Sequence, residues 1–137
     1  MIPITSRPNG FTLQFRGLLN LDEMEELSRN LHDEWAGLRD PFVLVIDARQ
    51  FRYFASDAQA RFEHLLEESL QHGLVRITVL AISTALANLF CSIMVRTDVM
   101  PYYQYLDVAY EDDFLTEMKN WLNEPFSNEE RSTKEPS

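Results

Sequence analysis

The chain has 137 residues, the length of one domain with its own core, and its 45% hydrophobic and 25% charged residues exclude wholesale disorder. The net charge of −10 argues against nucleic acid and anionic membranes as partners, because both bind basic surfaces. A single cysteine, Cys91, excludes an internal disulfide. Together with an amino terminus that lacks a signal-peptide pattern, it predicts a cytoplasmic protein without integral membrane association.

The first elements are a pair of strands. Residues 11–16 alternate between apolar and polar side chains, which predicts a strand with one buried face. Asn9 and Gly10 form a turn signal before it, so residues 2–5 are predicted to pair with it as an antiparallel hairpin. Pro3 lacks an amide proton and therefore confines this first strand to the edge of the sheet.

The first helix begins with a capping-box pattern. Asn20 and Glu23 have the spacing of this motif, and Leu19 and Met24 have that of a hydrophobic staple. Gly37 is typical of a helix end. Between these signals, apolar residues repeat at steps of three and four and predict one buried stripe: Leu21, Met24, Leu27, Leu31, Trp35 and Leu38.

The second unit starts at residues 43–46, four apolar residues in a row that predict a buried central strand. The stretch before Ser56, which carries Arg49 and Arg52, is interpreted as a loop. Ser56 is predicted to cap a second helix, with Gln59 at the capping-box position. The predicted inward face of this helix consists of Ala58, Phe62, Leu65, Leu66 and Leu70.

The third unit repeats this order. Residues 75–82 predict a strand that points Arg76 and Thr78 to a less covered face of the sheet. Ser83 is predicted to cap a third helix, and the aromatic residues of segment 102–108 favour a further strand.

A fourth helix is predicted from apolar residues at positions i, i+4, i+7 and i+8: Phe114, Met118, Trp121 and Leu122. Residues 1–124 are therefore interpreted as one domain and residues 125–137 as a flexible, acidic tail. In the order β(β)αβαβαβα, strands joined through helices run parallel. The sequence predicts an α/β fold with a mostly parallel sheet of four or five strands and four helices mainly on one face.

The amino-acid sequence around the second helix resembles that of the STAS family, the bacterial anti-sigma-factor antagonist domains. The family pattern is a strand-end aspartate, a short apolar stretch and Asp-Ser-Ser-Gly at a helix start. Asp47 matches the aspartate, and Ser56 falls on the phosphorylatable serine of the family. The rest of the motif differs, because Ala55, Asp57 and Ala58 replace its aspartate, second serine and glycine.

The layout of residues 10–123 looks more like the divergent SpoIIAA-like group, which has been grouped with Sec14-type lipid-carrier domains. The resemblance implies a superhelix of β–α units with helices mostly on one side of the sheet. It also implies a non-catalytic regulatory module that binds a protein, without the standard phosphoswitch. The alternative is a Sec14-like carrier or sensor of a lipid or other apolar small molecule.

Four residues near the start of the second helix form the candidate partner surface or phosphosite counterpart: Arg49, Arg52, Ser56 and Asp57. The free amides and the dipole of a helix start would favour a phosphate on Ser56. The missing motif and the like charge of Asp57 favour a plain N-cap instead. The two arginines are either an anion site or partners of surface carboxylates.

The third helix carries more apolar residues than a helix covered on one side needs. With the aromatic segment after it, this helix predicts an apolar ligand site or interface made by Phe90, Met94, Met100, Tyr103 and Tyr105. Two alternatives stay open. Neighbouring helices that cover both flanks would explain the pattern, and so would a homodimer that buries this helix.

The residue patterns of common enzymes are absent, so no catalytic residue is assigned. His32, His64 and His72 have no second ligand at metal-binding spacing, and Cys91 within an apolar helix predicts an inert thiol. Four glycines provide no phosphate-binding loop. We therefore expect no metal and no cofactor, and an unidentified protein or an apolar small molecule as the partner.

Overall fold

The computed structural model describes residues 2–7, 9–38 and 41–107 of the chain. Within this part the elements are β1 (Ile4–Arg7), β2 (Gly10–Leu19), α1 (Leu21–Ala36), β3 (Phe42–Phe54), α2 (Ser56–Gln71), β4 (Leu74–Ala81), α3 (Thr84–Arg96), a 3-10 turn (Met100–Tyr102) and β5 (Tyr103–Asp107). The predicted fourth helix, the predicted tail and the domain boundary at residue 124 lie outside the described residues.

The strands form one sheet in the order β1-β2-β3-β4-β5. β1 pairs antiparallel with β2, from Ile4 opposite Leu13 to Arg7 opposite Gly10. The remaining neighbours pair in parallel, because each is joined to the next through a helix. The predicted hairpin at the sheet edge and the mostly parallel sheet are both confirmed.

The start of α1 has the predicted capping box. The side-chain oxygen of Asn20 accepts a hydrogen bond from the backbone amide of Glu23 at 2.9 Å. The backbone amide of Asn20 donates in turn to Glu23 Oε1 at 3.1 Å. These two bonds satisfy amides that a helix start otherwise leaves unpaired. The apolar stripe that follows is buried as predicted at Met24, Leu27, Leu31 and Trp35.

One face of the sheet and the three described helices share a single apolar core. The inner strands contribute alternate residues to it: Phe11, Leu13, Phe15, Leu44, Ile46, Ala48, Ile77, Val79 and Ala81. Each of these helices buries apolar residues in the same cluster. The prediction that helices lie mainly on one face is therefore confirmed for the described part of the chain.

The opposite face of β4 is not open to solvent. Arg76 is 1% exposed and Thr78 is fully buried, so the predicted less covered face is wrong for this strand. β4 is an interior strand between β3 and β5, and its neighbours on this face are apolar, since Thr78 lies opposite the buried Val45.

α2 begins one residue earlier than a Ser56 cap would allow. Ala55 is the N-cap residue and makes no side-chain cap bond, so the prediction that Ser56 caps the helix is wrong. The reason is that strand pairing continues into Ala55, whose amide donates to the Leu19 carbonyl oxygen at 2.9 Å. Ser56 is consequently the first helical residue. In α3 the predicted cap is confirmed, because the Ser83 hydroxyl accepts a hydrogen bond from the Leu86 amide at 3.1 Å.

Candidate functional site

β3 continues well beyond the four residues that the sequence predicted, and its second half is irregular. Gln14 of β2 lies opposite Asp47, but Arg16 lies opposite Gln50. Two residues of β3 therefore lie opposite a single residue of β2, Phe15. A second register shift follows at Gly17, whose φ is 57°. Gly17 and the next residue of β2 pair with two residues of β3 that are not adjacent to each other. Each shift is a β-bulge, and bulges change the direction in which side chains point.

Each of the two bulges contains an arginine. Arg49 is part of the first bulge, and Arg52 lies between Phe51 and Tyr53, which pair with consecutive residues of β2. Residues 48–54, called the bulged segment below, were predicted as a loop and are a strand, so that prediction is wrong. The physical reason is their burial pattern, in which every third residue is buried: Ala48, Phe51 and Phe54.

A cluster of phenylalanine rings fixes the bulged segment to the core. The Phe51 and Phe54 rings lie 5.7 and 5.9 Å from the ring of Phe15 in β2, between ring centroids. Phe54 also stacks on Phe62 of α2 at 5.1 Å, and Phe51 lies 5.9 Å from Phe90 of α3. Aromatic pairs at these separations stabilise each other beyond the burial of their area. The outward residues are thus carried by a firmly packed strand.

Asp47 and Arg49 form a bidentate ion pair beside the bulge. Arg49 Nε lies 2.8 Å from Asp47 Oδ1 and Arg49 Nη2 lies 2.7 Å from Asp47 Oδ2. The hydrogen bonds from Arg49 hold the pKa of the Asp47 carboxyl below its ordinary value, against an opposing effect of burial. The pair lines a cleft of about 370 Å³ together with Gln14, Phe15 and Gln50. For Arg49, pairing with a carboxylate is therefore the observed arrangement, although the Asp47 side chain is only 12% exposed.

Replacing Asp47 by asparagine is expected to lower the free energy of unfolding at neutral pH by about 1 kcal/mol, because Arg49 loses a charged acceptor. Since the folded-state pKa of Asp47 lies below the unfolded value, its contribution is present above that unfolded value and disappears as the pH falls through the folded one. The difference between the two proteins should therefore shrink only below about pH 4. Urea unfolding across a pH series measures it.

The matched control for this variant is Asp33→Asn, which removes one negative charge from an exposed position of α1. Its unfolding free energy should stay within about 0.5 kcal/mol of the wild type at every pH. A loss of stability in Asp47→Asn that is equally large at the lowest pH would contradict the role of the ion pair.

The exposed side of the bulged segment combines arginines with apolar side chains. Leu18 of β2 and Tyr53 of β3 lie opposite each other and are 47% and 57% exposed. Arg16 and Arg52 are exposed beside them, and Arg52 makes no ion pair or hydrogen bond within residues 2–7, 9–38 and 41–107. We call Arg16, Leu18, Arg49, Arg52 and Tyr53 the arginine surface.

Ser56 and Asp57 follow the bulged segment and are exposed in the first turn of α2. The chain thus carries all four predicted surface residues within nine positions, on one strand end and the helix after it. Sequence reasoning missed Arg16 and Leu18, which reach the same region through the pairing of β2 with β3. The signal that could have found them is Gly17, whose positive φ accompanies the second bulge.

The five residues predicted as an apolar site do not share one environment. Phe90 and Met94 are fully buried in the core cluster. Met100 is 42% exposed in the 3-10 turn, whereas Tyr103 and Tyr105 are half-buried in β5. The Tyr105 hydroxyl donates to the Ser83 carbonyl oxygen at 3.3 Å, and burial raises the pKa of Tyr103.

In residues 2–7, 9–38 and 41–107, no group of three or more His, Cys, Asp or Glu side chains has an arrangement that could hold a metal ion. None of the helices in these ranges combines the length and the apolar composition needed to cross a bilayer.

No family model and no curated protein matches the sequence. Among solved structures, the fold is similar to that of an uncharacterized protein from the DUF3478 family with a SpoIIAA-like fold, from Shewanella loihica PV-4. The TM-score is 0.64 at 16% sequence identity, and the match covers 89% of this chain and 92% of that chain. The chain therefore has the SpoIIAA-like fold that its resemblance to STAS domains implied.

Proposed function

We propose that this chain is a non-catalytic regulatory module of the STAS type, which acts in a bacterial cytoplasm by binding a protein partner. The contact surface is the exposed side of the bulged segment and the first turn of α2, with Arg49, Arg52, Ser56 and Asp57. The observation that carries the proposal is a strand end that exposes two arginines and a tyrosine while its phenylalanines are fixed in the core. Arginine and tyrosine are enriched among the residues that dominate protein interfaces.

The surroundings of Ser56 favour a module that works without the standard phosphoswitch. Ser56 is exposed at a helix start, where free amides would favour a phosphate. Asp57 is the next residue, however, and its carboxylate would repel the added charge. The two effects oppose each other, so a phosphate on Ser56 would change the surface less than in a domain with an uncharged neighbour.

Two of the three histidines take part in structural contacts, which supports a non-catalytic role. The His72 ring stacks on Trp35 with ring centroids 4.5 Å apart. His32 Nδ1 lies 2.7 Å from the Ser28 carbonyl oxygen, one turn earlier in α1. Both rings therefore pack near the core, and the Ser28 hydroxyl that lies 3.5 Å from His32 Nδ1 is buried at 3% exposure.

A carrier of a lipid or other apolar small molecule is the second candidate function. The observation that favours it is a set of exposed apolar side chains after α3 and at its end: Val95, Met100 and Tyr102. Exposed apolar groups of this kind occur at ligand or partner sites. The buried positions of Phe90 and Met94 limit how much of the predicted apolar site could touch a ligand, so the protein-binding function is preferred.

The test uses a photoreactive benzophenone side chain at the exposed position Gln50, followed by ultraviolet cross-linking in the source organism. We expect one discrete protein adduct. Adding Arg52→Glu should reduce its yield at least about tenfold, because charge reversal at an interface is strongly unfavourable. Ser56→Asp should change the yield as well, and both variants should keep the melting temperature of the wild type, since these side chains are exposed.

The matched control is Arg29→Glu, which reverses the charge of an exposed arginine on α1 and should leave the adduct unchanged. Equal capture by the wild type, Arg52→Glu and Ser56→Asp would contradict the proposed surface. A melting temperature that rises with added fatty acid, together with the absence of a protein adduct, would replace the proposal by the carrier function.

A further inference from the structure

The two neighbouring strands β2 and β3 carry an excess of positive charge in an otherwise acidic chain. Their sequences contain three arginines, Arg16, Arg49 and Arg52, and one carboxylate, Asp47. The whole chain, in contrast, has 22 acidic and 12 basic residues. The excess lies at the carboxyl ends of both strands, within the arginine surface.

Within the residues that the structure describes, two of these three arginines make no hydrogen bond to a carboxylate. The Asp47 carboxylate is bound by Arg49 through both oxygens. Arg16 Nη2 donates to the neutral Gln14 Oε1 at 2.9 Å, and Arg52 has no polar partner within the described ranges. A guanidinium group binds carboxylates through paired hydrogen bonds, so Arg16 and Arg52 can each accommodate an acidic side chain.

Two exposed apolar side chains lie on the same strand ends as these arginines. Leu18 and Tyr53 are register partners on adjacent strands, so their side chains are neighbours on the sheet. Both are about half exposed, and Arg52 directly precedes Tyr53 in the bulge. An aromatic or aliphatic side chain of a partner would be removed from water by contact with this pair. Carboxylates of the partner on either side of it would then reach the guanidinium groups of the arginine surface.

We propose that the arginine surface binds an acidic segment of a protein, in which carboxylates flank an aromatic or aliphatic side chain. The apolar side chain contacts Leu18 and Tyr53, and the carboxylates bind Arg16 and Arg52. This inference rests on the proposed function and names the chemistry of its partner. The net charge of −10 repels an acidic segment from most of the molecule, so it restricts binding to this surface and gives specificity.

A protein segment fits this surface better than an anionic bilayer does. A bilayer presents negative charge over an area larger than the domain, so the acidic remainder of the protein would be repelled with it. A short peptide needs to contact only the arginine surface. A second copy of this acidic chain is the other occupant that the test must separate.

The probe is a short fluorescein-labelled peptide in which glutamates flank a central tryptophan–leucine pair. Two comparison peptides have glutamine for glutamate, or alanine for the apolar pair. Fluorescence anisotropy with the full chain at low salt should detect the acidic peptide and not the glutamine peptide. Arg16→Gln, Arg52→Gln and Tyr53→Ala should each weaken binding roughly tenfold, the usual effect of a central interface residue.

Arg29→Gln is the matched control, because it removes an exposed arginine without a polar partner in the described part of the chain. Its affinity for the acidic peptide should equal that of the wild type. Equal affinities for the acidic and glutamine peptides, or an unchanged affinity in Arg52→Gln, would overturn the inference. Two other results would also overturn the inference. One is flotation of the protein with phosphatidylglycerol vesicles that Arg52→Gln abolishes, and the other is a dimer in light scattering that this variant dissociates.

The benzophenone at Gln50 separates this inference from the proposed function. If a partner is captured and its cross-linked segment is acidic, the proposed function and the inference about acidic chemistry are both supported. If that segment is neutral or basic, the acidic chemistry is wrong although the protein-binding function remains. If the peptide binds as expected and no protein adduct forms, the charge preference stands and the proposed function fails.

Discussion

Replacing Phe62 by alanine is expected to lower the free energy of unfolding by about 4 kcal/mol, one of the largest effects of a single substitution in this chain. Phe62 is 1% exposed, and its ring lies 5.5 Å from Phe15, 5.1 Å from Phe54 and 6.2 Å from Phe90, between ring centroids. Alanine would leave a cavity between α2 and the rings contributed by two strands and one other helix, α3. Urea unfolding followed by circular dichroism measures the change.

The loss of Phe62 should also affect the arginine surface, because Phe54 ends the bulged segment and stacks on this ring. Leu18→Ala is the control, since that side chain is 47% exposed and its truncation should change stability by less than about 0.5 kcal/mol. Equal destabilisation by Phe62→Ala and Leu18→Ala would mean that the phenylalanine cluster does not hold the two helices against the sheet.

Replacing Gly10 by alanine is expected to destabilise the chain by about 3 kcal/mol, at the upper end of the usual cost of overpacking. A Cβ atom on Gly10 would lie 1.9 Å from the Val43 carbonyl oxygen and 2.7 Å from the Val43 amide nitrogen. This backbone cannot move away easily, because the Val43 amide donates to the Asn9 carbonyl oxygen at 2.9 Å. The substitution would therefore push β2 and β3 apart where their pairing begins.

Gly37→Ala is the matched control for this backbone clash. Its nearest neighbour, the Glu34 carbonyl oxygen, would lie at 3.8 Å from the new Cβ, and its φ of −93° suits any residue. This variant should be neutral or slightly more stable, because alanine restricts the unfolded chain. A melting temperature of Gly10→Ala close to that of Gly37→Ala would show that β2 and β3 can separate at Val43 without cost.

The elements that the sequence predicted well are those whose signals are local. The capping box of Asn20 and Glu23 could be recognised in the sequence because both of its bonds lie within one turn. The apolar stripe of α1 repeats with the helical period, and its residues are buried accordingly. The hairpin at the sheet edge followed from the turn at Gly10 in the same way.

The bulged segment could not be predicted because its period belongs to neither regular element. Its buried residues, Ala48, Phe51 and Phe54, recur every third position, whereas a regular strand has period two. The bulges that cause this depend on the register with β2, a contact between distant parts of the chain. The identity of Ala55 as the N-cap has the same origin, since the Leu19 carbonyl oxygen binds its amide.

The burial of the second face of β4 could not be predicted from a local sequence pattern either. Arg76 and Thr78 alternate with apolar residues and therefore look like solvent-facing positions. Both side chains are nevertheless buried, as is usual for interior parallel strands whose two faces are covered, and the local pattern of β4 does not reveal such coverage. The polar character of a side chain is a poor guide to exposure in such a strand.

A strand with every third side chain turned inward offers two outward positions for each inward one, whereas a regular strand offers one. Within residues 48–54, three positions keep the strand in place and four point outward. Gln50, Arg52 and Tyr53 could therefore be exchanged as a group without altering the interior. A single scaffold of this kind could acquire new binding preferences by substitutions in one short stretch of sequence, at little cost in stability.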